Sequence, residues 1–175
     1  MADLTGKKVA FIATNNFEDS ELTSPWDAVT RAGAQAVLIS PETGEITGKK
    51  GHAQAVDVAS GDASADDYDA VVLPGGTGNA DAIRLDEPAV KFVRAAYDEG
   101  KPIASICHGA WILTDADVAR GHTLTSYPSL KTDLRNAGAI WVDEEVVVDG
   151  PMISSRTPKD LPAFNAAIVD RFAQG

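Results

Sequence analysis

Cys107 is the only cysteine in the chain, and it stands between two apolar runs, Ile103-Ala104-Ser105-Ile106 before it and Ala110-Trp111-Ile112-Leu113 after it. The first run reads as a buried strand and the second suits a helix. A thiol at a strand-to-helix corner lies near backbone N–H groups and the positive end of a helix dipole, both of which favour thiolate over thiol. This is the layout of a nucleophile elbow with cysteine in place of serine. A lone cysteine is otherwise a small buried hydrophobe, but ligand sites of open α/β sheets lie at the carboxyl ends of strands, where this one falls.

Three further groups could serve such a thiol. His108 is a candidate general base, or its backbone N–H a candidate oxyanion donor; its ring reaches the sulfur only if the elbow is sharply bent, because neighbouring side chains at a turn tend to diverge. Gly75-Gly76, after another apolar run, offers a second oxyanion N–H, since glycine lets the backbone turn toward a substrate. Glu18, Asp19 and Glu21 follow the first apolar run, where a carboxyl could orient or protonate the sulfur; acids are also ordinary in the first turn of a helix. His52, His108 and His122 form no ligand pattern, so no metal is expected. Gly76-Thr77-Gly78 lacks the third glycine of a dinucleotide fingerprint and follows the third strand rather than the first, and no phosphate-binding loop of the Walker type occurs.

The elements that must position these groups alternate along the chain. Strands are predicted at 9–13, 35–40, 69–73 and 103–106. A helix over 18–32 carries Leu22, Trp26 and Val29 on one face, with Pro25 suggesting that the helix proper begins near Ser24. Residues 41–61 read as a small antiparallel excursion. Helices follow over 88–99, after Cys107, over 130–137 and from about Asp160 to the end, the last with Leu161, Phe164, Ile168 and Phe172 as its stripe. Strands at 139–142 and 146–148 precede Asp149-Gly150, a hairpin signal. The pattern implies a three-layer α/β sandwich, helices on both faces of a mainly parallel sheet, in one domain over 1–175.

The chain has 175 residues, 44% of them hydrophobic, which suffices for one buried core. Its formal net charge of -11 gives no electrostatic reason to bind nucleic acid or an anionic membrane. One cysteine makes no internal disulfide, which suits a reducing compartment. The N-terminal stretch from Met1 to Lys8 is polar, and no apolar run approaches the roughly 20 residues that span a bilayer, so a soluble cytoplasmic protein is expected.

Six segments, in order, resemble the PfpI intracellular-protease family, within the superfamily of the parkinsonism-associated deglycase and the class I glutamine amidotransferase fold. They are Phe17-Glu18-Asp19 with Glu21-Leu22, Ile46-Thr47-Gly48-Lys49, Val72-Leu73-Pro74-Gly75-Gly76, Ala104-Ser105-Ile106-Cys107-His108-Gly109, Thr125-Ser126-Tyr127-Pro128, and the run from Ser154 to Leu161. The resemblance implies a flavodoxin-like fold with Cys107 as nucleophile and Glu18 as the carboxyl beside the sulfur. It implies Gly76 and His108 as backbone oxyanion donors and Tyr127 as a pocket residue. It also implies assembly into dimers or hexamers with the pocket near a subunit boundary. A glutamate that reaches the histidine of a neighbouring subunit in the protease-named members corresponds here to Asp81, one methylene shorter.

The expected function is a cofactor-free, cysteine-dependent enzyme acting on reactive carbonyls, of the glyoxalase III or protein-deglycase kind, with Cys107, Glu18, Gly76 and His108 in the roles above. Its partners would be small carbonyl compounds or glycated and peptide substrates. A second expectation is an oligomer-dependent cysteine peptidase using Cys107, His108 and Asp81. A third is a redox-responsive stress protein in which Cys107 is oxidised and little is turned over.

Overall fold

A computed structural model describes residues 2–175; Met1, first in the polar N-terminal stretch, lies outside the described residues. The chain runs β1 (Lys8–Ile12), α1 (Asp19–Arg31), β2 (Gln35–Ser40), β3 (Gly44–Thr47), β4 (Ala53–Val56), β5 (Val58–Ala59), β6 (Ala70–Leu73), α2 (Thr77–Ile83), α3 (Glu87–Asp98), β7 (Ile103–Ile106), α4 (Trp111–Asp115), β8 (Thr123–Leu124), α5 (Lys131–Asn136), β9 (Ile140–Trp141), β10 (Val147–Asp149), β11 (Met152–Ser155) and α6 (Leu161–Ala173). A seven-stranded sheet has the order β10-β11-β7-β6-β1-β2-β5, parallel throughout except for the β10–β11 hairpin.

The central strands are apolar on both faces because helices cover both faces. Within β1, Phe11 packs with Leu22, Val29, Phe164 and Ile168 on one side, while Ile12 packs with Phe92, Val93, Ile112 and Leu113 on the other. Leu38 and Ile39 in β2, and Val72 and Leu73 in β6, divide in the same way, the period-2 alternation of a strand expressed in two cores. The three-layer sandwich with a mainly parallel sheet is therefore present as expected.

Four details depart from the sequence reading. Pro25 lies well inside α1, which begins at Asp19. Proline in a helix interior removes one backbone bond, to the carbonyl four residues earlier, but Leu22 and Val29 are fully buried on either side and packing holds the turns. Residues 77–83, assigned no element from the sequence, form α2. The excursion is the β3–β4 ribbon, whereas β5 leaves it to pair with β2 at the sheet edge. Residues 140–141 pair with β8 in a separate two-stranded sheet. Among the described residues no helix is long and apolar enough to cross a membrane.

The strand order decides where chemistry is assembled. From β1 the chain goes to β2 on one side and later to β6 and β7 on the other, so the direction of winding switches between β1 and β6. A crevice opens at the carboxyl ends there, the usual ligand position in such sheets. The ends of β7, β6 and β1 are neighbours, and they carry Cys107, Gly75-Gly76 and the segment leading to Glu18 and Glu21.

Candidate active site

Cys107 leaves β7 with φ of 60° and opens a short turn over Cys107–Ala110. A side-chain-bearing residue in the left-handed region is strained, and this strain turns the sulfur out of the sheet toward the crevice. Two contacts impose it. Tyr127 N–H donates to the Cys107 carbonyl at 3.2 Å, and Gly109 packs so tightly on the end of β6 that a Cβ there would overlap the Leu73 carbonyl oxygen. The backbone N–H groups of Gly76 and His108 both act on the sulfur in favour of its thiolate form.

The sharp bend brings the neighbouring ring back. His108 Nδ1 lies 3.4 Å from Cys107 Sγ, and Nε2 lies 3.4 Å from Thr77 Oγ1 at the start of α2. The ring is clamped, stacked on Tyr127 with centroids 4.7 Å apart and edge-on to Trp111 at 5.2 Å. Burial, and then the positive charge of Lys49, hold the imidazole below its ordinary pKa. It is neutral near pH 7 and free to accept a proton.

The carboxyl at the sulfur is Glu21, and this corrects the placement of Glu18 beside it. Glu21 is fully buried; its Oε1 accepts Gly75 N–H at 3.0 Å, and a Cβ on Gly75 would run into both that oxygen and Cys107 Cβ, which places the carboxyl beside the thiol. Its Oε2 has no hydrogen-bond partner among the described residues. Burial first, and then the negative charge of Glu18, push Glu21 up to about 8, against the pull of Gly75 N–H, Lys49 and the thiol. Burial and repulsion from an ionised Glu21 push the Cys107 thiol up to about 12, against the N–H groups of His108 and Gly76 and the charge of Lys49. At neutral pH the pair therefore rests with Glu21 protonated, which removes that repulsion and leaves an acid beside the sulfur.

Glu18 lines the same cavity but does different work. One oxygen meets Lys49 Nζ at 2.6 Å and the other Lys50 Nζ at 2.6 Å. Burial opposes its ionisation, but the hydrogen bonds and charges of the two lysines outweigh that and hold Glu18 below the usual carboxylate range. Helical phase accounts for the difference. Glu21 shares the buried stripe of Leu22, Pro25 and Val29, whereas Glu18 is the residue preceding the first turn. An acid in phase with the apolar stripe of α1 is the signal by which Glu21 could have been told from Glu18 in the sequence.

Thr77 and Lys49 have no role in the sequence reading, and Asp19 is named there only among the acids that could serve the sulfur. Thr77 holds the far nitrogen of His108. Asp19 accepts the backbone N–H groups of Lys50 at 3.0 Å and His52 at 2.8 Å, so it anchors the loop that brings Lys49 over the crevice. Gly48 is required there, since a Cβ would overlap the Asp19 carboxylate. Gly75 is required for a similar reason: a Cβ would overlap Glu21 Oε1 and lie 2.8 Å from Cys107 Cβ.

Glu18, Glu21, Lys49, Gly76, Thr77, Cys107, His108, Tyr127 and Pro158 line one cavity of about 340 Å³. Of the sequence-predicted residues only Asp81 stands apart. It is exposed on α2 and, among the described residues, makes no hydrogen bond or ion pair with His108 within the chain. No group of three or more His, Cys, Asp or Glu among the described residues could hold a metal ion.

Residues 7–171 match the model of the DJ-1/PfpI family. Deglycase PH1704 of Pyrococcus horikoshii is 48% identical over 90% of this chain and 94% of that protein. Putative cysteine protease YraA of Bacillus subtilis is 44% identical over 91% and 94%. A crystal structure from Anabaena variabilis, of a two-domain protein with DJ-1/ThiJ/PfpI-like and ferritin-like domains, superposes with a TM-score of 0.92 at 37% identity. The match covers 94% of this chain but 48% of that one, so the chain spans about half of the two-domain protein.

Proposed function

The chain belongs to the DJ-1/PfpI family, and from that premise we propose that it is a stress-protective, cysteine-dependent enzyme that removes reactive-carbonyl adducts, with Cys107 as nucleophile and Glu21 as the proton-transferring acid. The observation that carries this reading is the buried Glu21 carboxyl against the Cys107 thiol. A carboxyl that titrates near neutrality both gives and accepts protons, which is what moving a proton between adjacent carbons requires. The name of the Pyrococcus relative supports the reading.

In the proposed sequence Cys107 Sγ bonds to the carbon of an aminocarbinol or hemithioacetal adduct, and the bond from that carbon to the modified nitrogen or sulfur breaks. Neutral His108 takes the thiol proton through Nδ1 and delivers it to the departing amine or thiol. The N–H groups of Gly76 and His108, already turned to the sulfur, lie where the substrate oxygen beside it gathers charge. Glu21, protonated at the start, gives its proton to the adjacent carbonyl oxygen and takes the one from the carbon bonded to sulfur, forming an enediol. It then passes that proton to the adjacent carbon and takes the hydroxyl proton of the sulfur-bearing carbon, so that the hydroxy-ketone becomes a hydroxy-thioester and Glu21 is protonated again. Water then supplies hydroxide to the acyl carbon and hydrogen to the sulfur, releasing a 2-hydroxy acid and restoring Cys107. No cofactor is needed.

The test is a panel of methylglyoxal, methylglyoxal-modified peptides and unfolded protein, followed by product analysis with wild type and Cys107→Ala. Lactate formation that depends on Cys107 supports the reading; equal consumption by both proteins rejects it.

A second reading, a peptidase, is supported by the name of YraA and by His108 Nε2, which faces the start of α2. It requires assembly into a dimer or hexamer that brings Asp81 of another copy to that nitrogen. Peptide cleavage that is unchanged in Asp81→Ala removes it.

A further inference from the structure

The cavity above Cys107 borders a second space. Pro158 lines both it and a cavity of about 450 Å³ bounded by Pro128, Asp143, Arg156, Thr157 and Lys159. The two also meet where Tyr127, which covers His108, passes directly into Pro128. Each lies within the range of about 300 to 1,000 Å³ in which pockets hold ligands far larger than a three-carbon dicarbonyl. The chemistry at Cys107 gives a free dicarbonyl no use for the second space.

Its wall is rigidly built. Arg156 Nε and Nη2 donate to Asp160 at 2.9 and 3.0 Å, Nη1 donates to Asp143 at 2.8 Å, and the Arg156 backbone N–H donates to Asp160 at 2.9 Å. Two carboxylates thus compensate the guanidinium in full. Lys159 beside it is exposed and has no ion pair among the described residues, so it is the uncompensated cation at the rim. Two prolines, with no N–H to satisfy, present flat apolar surface against which an extended chain can lie.

We propose that this second cavity is a subsite for the polypeptide that carries the modified side chain, with Lys159 receiving an acidic residue next to the modified position. It rests on the carbonyl-adduct reading of Cys107 and narrows the substrate from free dicarbonyls to adducts on polypeptide. A chain of net charge -11 repels acidic peptides over most of its surface, so one free cation at the site entrance decides their approach locally.

The experiment compares kcat/KM for free methylglyoxal and for two peptides bearing the same methylglyoxal-modified residue, one flanked by glutamates and one by lysines. Wild type, Lys159→Glu, Thr157→Trp and Lys91→Glu are used, the last as a charge control whose lysine pairs with Glu87 on α3. Circular dichroism melting confirms that each variant folds. Wild type is expected to favour the glutamate-flanked adduct about fivefold, as an exposed ion pair allows, and Lys159→Glu to reverse the order. Thr157→Trp should weaken both peptides relative to methylglyoxal, and Lys91→Glu should follow wild type. Equal use of the two peptides by wild type and Lys159→Glu overturns the subsite. If methylglyoxal is still consumed in a Cys107-dependent way, that result leaves the carbonyl reading intact; if Cys107→Ala matches wild type on every substrate, both fall.

Discussion

Glu21 meets Cys107 across the space above Gly75, a position that only a glycine leaves open. Carboxyl and thiol come from different strand connections, α1 after β1 and the turn after β7, and are joined because β6 lies between those strands in the sheet. Gly75→Ala should therefore act on both at once. Its methyl group must displace Glu21 Oε1 or the Cys107 side chain, and we expect at least a hundredfold loss of turnover with destabilisation of about 1–3 kcal/mol. Steady-state kinetics alongside thermal melts checks both.

The buried acid also makes stability depend on pH. An unfolded glutamate titrates near its ordinary value of 4.5, and folded Glu21 near 8. Between those values the native state binds the extra proton, so stability falls as pH rises through this window, is fully present below about 4.5 and is fully lost above about 8. The span corresponds to at most about 5 kcal/mol. Glu21→Gln keeps an oxygen for Gly75 N–H and cannot ionise, so it should gain stability over wild type at pH 8.5 and little at pH 5, as urea denaturation at the two pH values will measure.

Lys49 is expected to set thiol reactivity through space. Its charge draws Cys107 and Glu21 down and also holds His108 down, whereas Lys50 acts on Glu18 alone. Lys49→Gln should slow alkylation of Cys107 by iodoacetamide at pH 8 several-fold, since a weaker local positive potential raises the thiol. Lys50→Gln should change the rate much less. Mass-spectrometric time courses at fixed pH distinguish the two.

The elbow itself is tested at Gly109. A Cβ there overlaps the Leu73 carbonyl oxygen, and Cys107 holds its left-handed backbone only while this turn stays seated on β6. Gly109→Ala should lower stability by about 1–3 kcal/mol and abolish turnover, because the sulfur leaves the two N–H donors. Retained activity with an unchanged melting temperature would remove the role given to this contact.

Much of this was legible from residue patterns. Apolar runs with alternating helical stripes specify a sheet covered on both sides, and an isolated cysteine after an Ile-rich run marks the elbow. Glu18 and Glu21 are not separable by proximity along the chain. Separating them takes the phase of α1 fixed by Leu22, Pro25 and Val29, together with the lysines that reach Glu18 from a loop more than thirty residues away. The role of Thr77 and the anchoring role of Asp19 are not legible for a related reason: each acts through a contact made by tertiary folding, Thr77 on His108 and Asp19 on the backbone of residues 50 and 52.

The decisive measurement is Cys107-dependent conversion of methylglyoxal to lactate by Glu21→Gln and Glu18→Gln, each compared with wild type and Cys107→Ala at matched folding. Proton transfer by Glu21 predicts that Glu21→Gln loses about a hundredfold or more in kcat, as removal of a general acid–base does, while Glu18→Gln, which frees the two lysines and removes a negative charge near Glu21 but leaves the proton-carrying carboxyl in place, loses far less. Equal or reversed losses, or a Glu21→Gln protein as active as wild type, would contradict it.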